Sequence, residues 1–595
     1  MSNPNISSPA LFAIGGEFML GLSSFSNINF DIVKKRSLIA DFVFIFLLLS
    51  VLYIVTHYAH QATSNVNYEA KISLSIGSLI KYSFFSLSRA LIAFAFSFVF
   101  TIFYGYFMYK NKTAEKLLLP ILDILQSIPV LGFLPAVVLA LIALFPKSNT
   151  GLELASIIMI FTGQVWNMVF GFYGTLNSIP QEFKEVASVY KLSWFQKFKW
   201  IEFPTTISSL IWNSMMSMAG GWFFLMVCEE FSLGNKNFRL EGLGSYMSVA
   251  ASDGNYLAMF YGILAMMIII VALDQLIWQP LIAWSEKFKI EYTLTSKPKE
   301  SWFLNLLIDS NIIEFTRNMY NRASVWLSEK LENFKRQKKK IKKTKKGGLA
   351  SILANATLAL IVAFILFASY KIIIMIQNIP KETWFDIFKS DSYTLIRVLI
   401  TIIIGSLWTI PFGIYLGLSP KLSKILQPVI QITASFPAPM LFPVLIGLFF
   451  ALNVNLSYGS IILMLMGTQW YILFNVIAGA INIPSEMIEM SKVFKLSLWE
   501  KFKSIYFKAI FPYLVTGWIT AAGGAWNASI VAEYVTFKNQ TIATVGIGSL
   551  ISKAADSGQI SLLAASVLVM ALTVVFFNKL VWKNLYKLSQ NYKVR

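Results

Sequence analysis

Residue types that do chemistry are scarce in this chain. Its 595 residues hold two histidines and one cysteine. His57 and His60 stand in H-x-x-H spacing, but no carboxylate or cysteine lies close by in sequence, so they read as residues at the end of an apolar run and not as metal ligands. Cys228, being alone, excludes an internal disulfide and any CxxC pair. The sequence shows no clustered catalytic set and no G-x-x-x-x-G-K-[ST] phosphate loop, which argues against an enzyme and against an ATPase within the chain. What remains are polar groups inside apolar runs. Arg89, Arg397, Glu230 and Glu533 are ionisable, Gln164, Asn213, Gln469, Asn475 and Asn527 carry amides, and Trp222 and Trp526 stand beside small residues. Such groups are costly in hydrocarbon and are candidates for a solute pathway; interhelical hydrogen bonding, close helix approach or snorkelling is the competing reading. Glu230 and Glu533 read as matching positions, and with Arg89 and Arg397 they suggest one Glu–Arg pair per half of the chain. For Asp274 and Gln275, in another run, burial against a neighbouring span is expected.

The runs that hold these groups decide the class. Hydrophobic residues make up 56% of the chain and charged ones 13%, with a mean hydropathy of +0.63. Stretches such as IADFVFIFLLLSVLYIV (39–55) and LIAFAFSFVFTIFYGYFMY (91–109) approach the ~20 residues that cross hydrocarbon, and they do not alternate as barrel strands would. The expected fold is an all-α polytopic membrane protein of about 12 transmembrane helices, arranged as two tandem six-helix repeats. The spans are expected near 38–57, 85–108, 130–146, 153–175, 205–228 and 256–283, then near 352–376, 395–417, 438–453, 459–480, 511–533 and 560–582. Residues 1–37 lack the basic start of a signal peptide and read as a cytoplasmic segment.

Charge placement orients these spans. The formal charge is +20, and with the N-terminus inside, most Lys and Arg fall in loops on the cytoplasmic side, which puts both termini there. The run KRQKKKIKKTKK (335–346) closes a polar linker, 285–349, and suits anionic lipid headgroups better than nucleic acid. Residues 304–334 have amphipathic helical spacing, fitting the membrane surface or a partner. Residues 350–583 form the second repeat and 584–595 a cytoplasmic tail.

The first repeat, 38–284, aligns with the second. Arg89, Pro120, Pro129 and Pro135 match Arg397, Pro428, Pro437 and Pro443. After a loop four residues longer in the first half, Gly163, Trp166, Pro180, Glu185, Gly242 and Gly254 match Gly467, Trp470, Pro484, Glu489, Gly546 and Gly558. Prolines and glycines recurring in register imply one backbone plan used twice. Six spans return the chain to its starting side, so the repeats share an orientation about an axis along the membrane normal.

The most polar duplicated stretch is EVASVYKLSWFQKF (185–198), answered by EMSKVFKLSLWEKF (489–502); ten of the twenty positions in 179–198 and 483–502 are identical. Each copy reads as a short helix, a break at Lys-Leu-Ser and a second helix opened by a capping box, Ser193 with Gln196 and Ser497 with Glu500. The apolar face (Val189, Tyr190, Trp194 and Phe198; Val493, Phe494, Trp499 and Phe502) suits a groove in another protein. Contact with lipid alone tolerates almost any amphipathic sequence and would not account for the agreement.

The segment from Glu185 to Pro204 resembles the EAA loop of ABC importer permeases, E-A-A-x-x-x-G…P, and the second copy runs from Glu489 to Pro512. With SIPVLGFLP (127–135), SFPAPMLFP (435–443) and AGGAWNASIVAEY (522–534), the chain looks like two fused permeases of the nitrate/sulfonate/taurine importer group, with a type I ABC importer permease-like fold. The resemblance implies that the loops at 180–204 and 484–512 couple to ATPases through Glu185, Ala187, Tyr190, Lys191, Ser193, Trp194 and Pro204, and through Glu489, Phe494, Lys495, Ser497, Trp499 and Pro512. It implies two cytoplasmic ABC ATPase subunits that bind ATP and Mg²⁺, an extracytoplasmic substrate-binding protein, a bacterial inner-membrane location and a small solute, an anion or organic sulfonate among the candidates. The chain itself would bind no cofactor, metal or nucleic acid. Lys191 and Lys495 replace the family's glycine, which argues against a sharp left-handed turn at the break. An ion-gradient-driven secondary transporter of 6+6 design is the alternative; it predicts carboxylates near the midplane and no docking loop.

Overall fold

Long apolar runs become long helices because in hydrocarbon every backbone N–H must find its acceptor within the segment. The computed structural model describes residues 68–234, 236–288, 301–308, 310 and 370–591, with 41, 42, 45, 49, 53, 54 and 56. The helices of the first half are α1 (Ile76–Lys110), α2 (Lys112–Ser127), α3 (Leu134–Leu144), α4 (Thr150–Asn177), α5 (Gln181–Val189), α6 (Trp194–Cys228), α7 (Leu243–Ser252) and α8 (Tyr256–Phe288). A short α9 (Trp302–Ile308) follows. The second half has α10 (Lys381–Gly417), α11 (Pro420–Ser435), α12 (Ala438–Ala451), α13 (Leu456–Ile481), α14 (Ser485–Val493), α15 (Leu498–Ala532), α16 (Ile547–Asp556) and α17 (Ile560–Ser589).

Among the described residues, α1, α4, α6, α8, α10, α13, α15 and α17 are long and apolar enough to cross a membrane. The expected first and seventh spans, 38–57 and 352–376, fall largely outside the described residues, as do His57, His60 and most of the linker. The third span of each half departs from expectation. In the first half it is the 11-residue α3 behind a 3₁₀ turn, Val130–Phe133. In the second, Ile425–Ser435 and Ala438–Ala451 meet at 81°. Pro129 (ψ 103°) and Pro437 (ψ 112°) hold extended backbone at these breaks, so neither helix runs straight through.

The helical two-repeat plan holds down to the packing. Met108, Leu122 and Val169 form a core cluster with Trp166 and Phe170 against it; their repeat mates Leu416, Ile430 and Leu473 do the same with Trp470 and Phe474. Among the described residues four π turns recur in register, Phe198–Glu202 with Phe502–Tyr506 and Asp274–Trp278 with Asn578–Trp582. Pro204 closely follows the first of these, but Lys508 occupies the matching place in the second half, so proline does not cause the turn.

Two antiparallel hairpins add strands that the apolar patterning does not announce. β1 (Glu230–Leu233) pairs β2 (Lys236–Arg239), and β3 (Tyr534–Phe537) pairs β4 (Gln540–Ala543). In the first half, Tyr68–Ala70 runs parallel to β2, with Ala70 N–H donating to Arg239 C=O at 3.1 Å and Arg239 N–H to Tyr68 C=O at 2.7 Å.

The chain folds as two compact units. One comprises Met1–Val55, Ser178–Ser208 and Gln275–Ile365; the other comprises Thr56–Asn177, Ser209–Asp274 and Leu366–Arg595. The first coupling-loop candidate belongs to the former. The second copy and both hairpins belong to the latter. In the former, the Trp302 indole donates to Gln275 at 3.2 Å and Phe303 is buried.

Candidate functional site

Each duplicated loop is a helix, a reversal and a capped second helix. In the first, α5 ends with Lys191 N–H donating to Ser188 C=O and Leu192 N–H to Ala187 C=O, both at 3.0 Å. These are the two bonds of a Schellman motif, whose C′ residue takes left-handed backbone. That residue is Lys191, at φ 49°, and its repeat mate Lys495 sits at φ 48°. The expectation against a sharp left-handed turn is therefore corrected: the two terminal bonds impose the turn and lysine tolerates it. In the second loop, Leu496 N–H reaches Ser491 C=O at 3.1 Å and Lys495 N–H reaches Lys492 C=O at 3.0 Å.

The capping boxes form as the spacing predicts. Ser193 N–H donates to the Gln196 side chain at 2.9 Å while Gln196 N–H donates to Ser193 Oγ at 3.3 Å. Ser497 and Glu500 repeat this at 2.7 and 3.3 Å. Held this way, Tyr190, Trp194 and Phe195 are exposed, as are Phe494, Leu498 and Trp499, while Ala187 and Ser491 are buried. Val189 and Val493 are 77% and 78% exposed, which leaves one apolar edge of each loop open.

A buried charge cluster ties helix ends together in each half. Arg89 Nη1 lies 2.7 Å from Glu229, and Nε and Nη2 grip Glu153 at 2.7 and 2.8 Å. Glu229 also accepts from Ser86 Oγ at 2.7 Å and from Gly244 N–H at 2.7 Å, at the start of α7. In the second half Arg397 meets Glu533 at 2.7 Å, and Glu533 accepts from Thr394 and from Gly548 N–H at 3.0 Å. The acid equivalent to Glu533 is thus Glu229. Glu230, the residue read from sequence, instead pairs with Arg239 across the hairpin at 2.6 Å. The carboxylates of Glu229 and Glu533 occupy the space where Gly242 and Gly546 would carry a β-carbon, so both positions need glycine for room. The clusters differ in charge: Ser457 occupies the place of Glu153, and its C=O accepts from Arg397 Nε at 3.3 Å.

Each hairpin tip bonds to the opposite repeat. Gly234 N–H donates to Ala555 C=O at the end of α16, at 2.8 Å, and Lys538 N–H donates to Ala251 C=O at the end of α7, at 3.0 Å. Donors and acceptors are repeat mates, so these two bonds form a pseudo-two-fold clasp. A Tyr534–Asp556 hydrogen bond of 2.6 Å anchors the second hairpin, and burial together with that carboxylate pushes the Tyr534 phenol up to about 12.

Away from the clasp lies a cavity of about 960 Å³, walled by α2, α4 and α6 of the first repeat and by α11, α12, α13, α15 and α17 of the second. Trp166, Phe224, Phe436, Trp470, Tyr471 and Trp526 contribute aromatic wall. Asn527 bridges the repeats, accepting from Val130 N–H at 2.8 Å while its amide N–H donates to Gly523 C=O at 3.1 Å. Among the described residues no carboxylate lines it, whereas Lys579 and Lys583 do.

Residues 97–277 and 409–582 each match the family described as binding-protein-dependent transport system inner membrane component. The chain belongs to that family. It is 27% identical over 195 residues to the nitrate import permease protein NrtB of Leptolyngbya laminosa, covering 33% of this chain and 66% of the relative. It is 33% identical over 149 residues to the bicarbonate transport system permease protein CmpB of Synechocystis sp. (25% and 50%), and 23% over 179 residues to the taurine transport system permease protein TauC of Escherichia coli (30% and 62%). The chain thus spans between half and two thirds of these relatives. Two matches in one chain make it a doubled permease, a membrane transport component and not an enzyme.

Of the pathway candidates, Trp526 and Asn527 line the permease's cavity. Arg89, Arg397 and Glu533 lie in the buried clusters. The other amides serve helix contacts: Gln164 reaches Ser97, Gln469 accepts from Trp408, and Asn213 and Asn475 bond carbonyls of their own helices. Trp222 is buried, and so is Asp274, as expected, with Gln431 at 3.4 Å. Gln126, Asn167, Gln431, Asn578, Lys579 and Lys583 line the cavity without having been singled out. Eight helices contribute to it, and no periodic pattern marks such a lining. Among the described residues no group of His, Cys, Asp or Glu could hold a metal.

Proposed function

We propose that this doubled permease is the membrane-spanning part of an ATP-driven importer and that the cavity is its solute pathway. The observation that carries the reading is the loop written twice, with the same Schellman turn, the same capping box and an exposed apolar edge at Val189–Phe195 and Met490–Trp499. Each loop seats in a cleft of a cytoplasmic ATPase subunit. Two such subunits bind ATP and Mg²⁺, and their closure reaches the repeats through α6 and α15, which continue directly out of the loops. An extracytoplasmic binding protein delivers the solute at the hairpin end. Both termini face the cytoplasm of a bacterial inner-membrane protein, in keeping with the excess of basic residues on that side.

The solute is a small anion. Lys579 and Lys583 in the lining, with no carboxylate there among the described residues, support this, and the relatives whose names specify nitrate, bicarbonate and taurine agree with it. Alternating access needs the clasp to part when the opposite end closes.

Affinity purification of the tagged full chain tests the reading. An ATPase should co-purify and be lost when Glu185→Ala and Glu489→Ala are combined. Transport by the chain alone in liposomes, driven by a proton or sodium gradient, would overturn it.

A further inference from the structure

The third span of the first repeat breaks at Pro129, and the break leaves a backbone donor without a local acceptor. Val130 N–H opens the 3₁₀ turn Val130–Phe133, where the first N–H groups have no partner within the turn, and Pro129 before it brings no side-chain cap. The acceptor comes from the other repeat: Asn527 Oδ1, on α15, takes that N–H at 2.8 Å. The amide N–H of Asn527 is held on Gly523 C=O, one turn back, at 3.1 Å, which leaves the oxygen facing Val130. The same turn is pressed against α17, since a β-carbon on Gly132 would lie 3.0 Å from Val567 Cγ2. An elbow of the first repeat is thus held by two helices of the second.

This bond lies at one end of the cavity. Along α15 the lining runs from Ile519 to Ala528 and stops short of the hairpin; along α17 it runs from Val574 to Tyr586. Asn527 precedes Glu533 by about 9 Å of helix, and beyond Glu533 come β3 and the clasp. On the membrane orientation proposed above, Lys583 and Tyr586 face the cytoplasm, and Asn527 stands between the cavity and the outside.

The other side of the interface closes differently. The repeat mates of Val130 and Asn527 are Ala438 and Phe223. Both crowd Gly467: a β-carbon there would lie 3.5 Å from Ala438 Cβ and 4.0 Å from Phe223 Cε2. A phenyl ring packs without direction, whereas parting a hydrogen bond to a buried N–H leaves the donor unsatisfied. One side of the interface can slide, and the other must break.

We propose that Asn527 is the latch of the pathway's outer gate, and that the gate is latched on one side only, at the Val130 elbow. Outward opening moves the elbow off α15, parts the Asn527–Val130 bond and admits water to the freed N–H, while Phe223 slips past Gly467. Asn527 is a positioning residue: it sets how readily the gate opens, not which solute passes. This rests on reading the cavity as an importer's solute pathway.

Gly523→Cys supplies a reporter. Gly523 lines the cavity one turn inside the latch, and a β-carbon there meets nothing within 4 Å. The native Cys228 is buried, so the chain without the reporter gives the blank. The full chain carrying the reporter, in right-side-out and in inside-out membrane vesicles, is treated with a membrane-impermeant trimethylammonium methanethiosulfonate. The parent should label from the inside, and only slowly from the outside. Adding Asn527→Leu, which keeps the bulk and removes the acceptor, should raise the outside rate about fivefold or more and lower the inside rate. Asn527→Asp, which keeps an oxygen in that place, should retain the parent's rates, and Phe223→Leu should leave them unchanged. Rates that rise on both sides together would show general loosening and overturn the latch. An Asn527→Leu outside rate equal to the parent's, or a Phe223→Leu effect as large as that of Asn527→Leu, would also overturn it. Each of these outcomes leaves the importer reading standing. Labelling of the parent from the outside alone, or from neither side, would overturn the pathway reading and the proposal with it.

Discussion

The amide of Asn213 rests against Gly171, so close that a β-carbon on the glycine would overlap it. One repeat later the pair is reversed. Asn475, on α13, stands where Gly171 stands on α4, and Gly517, on α15, stands where Asn213 stands on α6; a β-carbon at Gly517 would lie 3.1 Å from that of Asn475. In both halves the amide N–H donates to the carbonyl four residues back at 2.8 Å. The crossing needs one asparagine and one glycine, and the two repeats have solved it with opposite helices. Close packing constrains the sum of the two side chains more than their order.

That reversal predicts a rescue. Gly171→Asn alone overpacks the crossing and should cost about 1–3 kcal/mol, and Asn213→Gly alone leaves a void. The double variant rebuilds the second repeat's arrangement in the first and should recover most of the loss, measured as thermal unfolding of the purified proteins. A double variant no better than the worse single would show that the two crossings are not equivalent.

Two adjacent acids should behave differently. Glu229→Ala removes the buried acceptor shared by Arg89 Nη1, Ser86 Oγ and Gly244 N–H while Glu153 still holds the guanidinium, and leaving such donors unsatisfied costs about 1–3 kcal/mol or more. Glu230→Ala breaks a partly exposed hairpin pair with Arg239, for which about 1 kcal/mol is expected. Thermal unfolding of the two variants side by side is the check; equal losses would contradict the assignment of Glu229 as the mate of Glu533.

These residues also mark the limits of the sequence. Apolar runs located the long helices because crossing hydrocarbon demands length, and duplication located the loops because both copies keep Lys-Leu-Ser and the capping box. The 304-residue offset pairs Glu229 with Glu533, so that signal was present, but a second acid beside Glu229 allowed the register to slip by one. The hairpins were not legible, since four-residue strands leave no alternation to detect. Pro129 and Pro437 appeared as matched prolines, yet whether they kink a span or end it depends on what packs beyond them. Lys191 and Lys495 were misread because local preference says nothing of the tertiary and terminal bonds that override it.

The same lysines give a third prediction. A non-glycine residue in left-handed backbone carries a strain of roughly 1 kcal/mol, so Lys191→Gly and Lys495→Gly should each raise stability by about that amount and leave ATPase co-purification intact. Lys191→Pro should do the reverse, because proline cannot adopt φ 49° and has no N–H for Ser188 C=O. Loss of the ATPase from the glycine variants, assayed by pull-down, would mean that the lysine side chains themselves make the contact.

The clasp between the repeats can be locked. A β-carbon at Gly234 would lie 3.8 Å from Gly558 Cα, and one at Gly558 would lie 3.4 Å from Gly234 Cα, within the approach that a disulfide requires. The native Cys228 is buried and should not compete. Gly234→Cys with Gly558→Cys should therefore cross-link on mild oxidation. Proteolytic cleavage within the linker at 285–349 would then leave the two halves joined until reductant is added. If the clasp must part during transport, the oxidised protein should lose solute uptake and regain it on reduction, while the single-cysteine variants keep uptake in both conditions. Undiminished uptake by a fully cross-linked protein would show that the hairpin ends stay together throughout the cycle, and that the moving boundary lies elsewhere along the cavity.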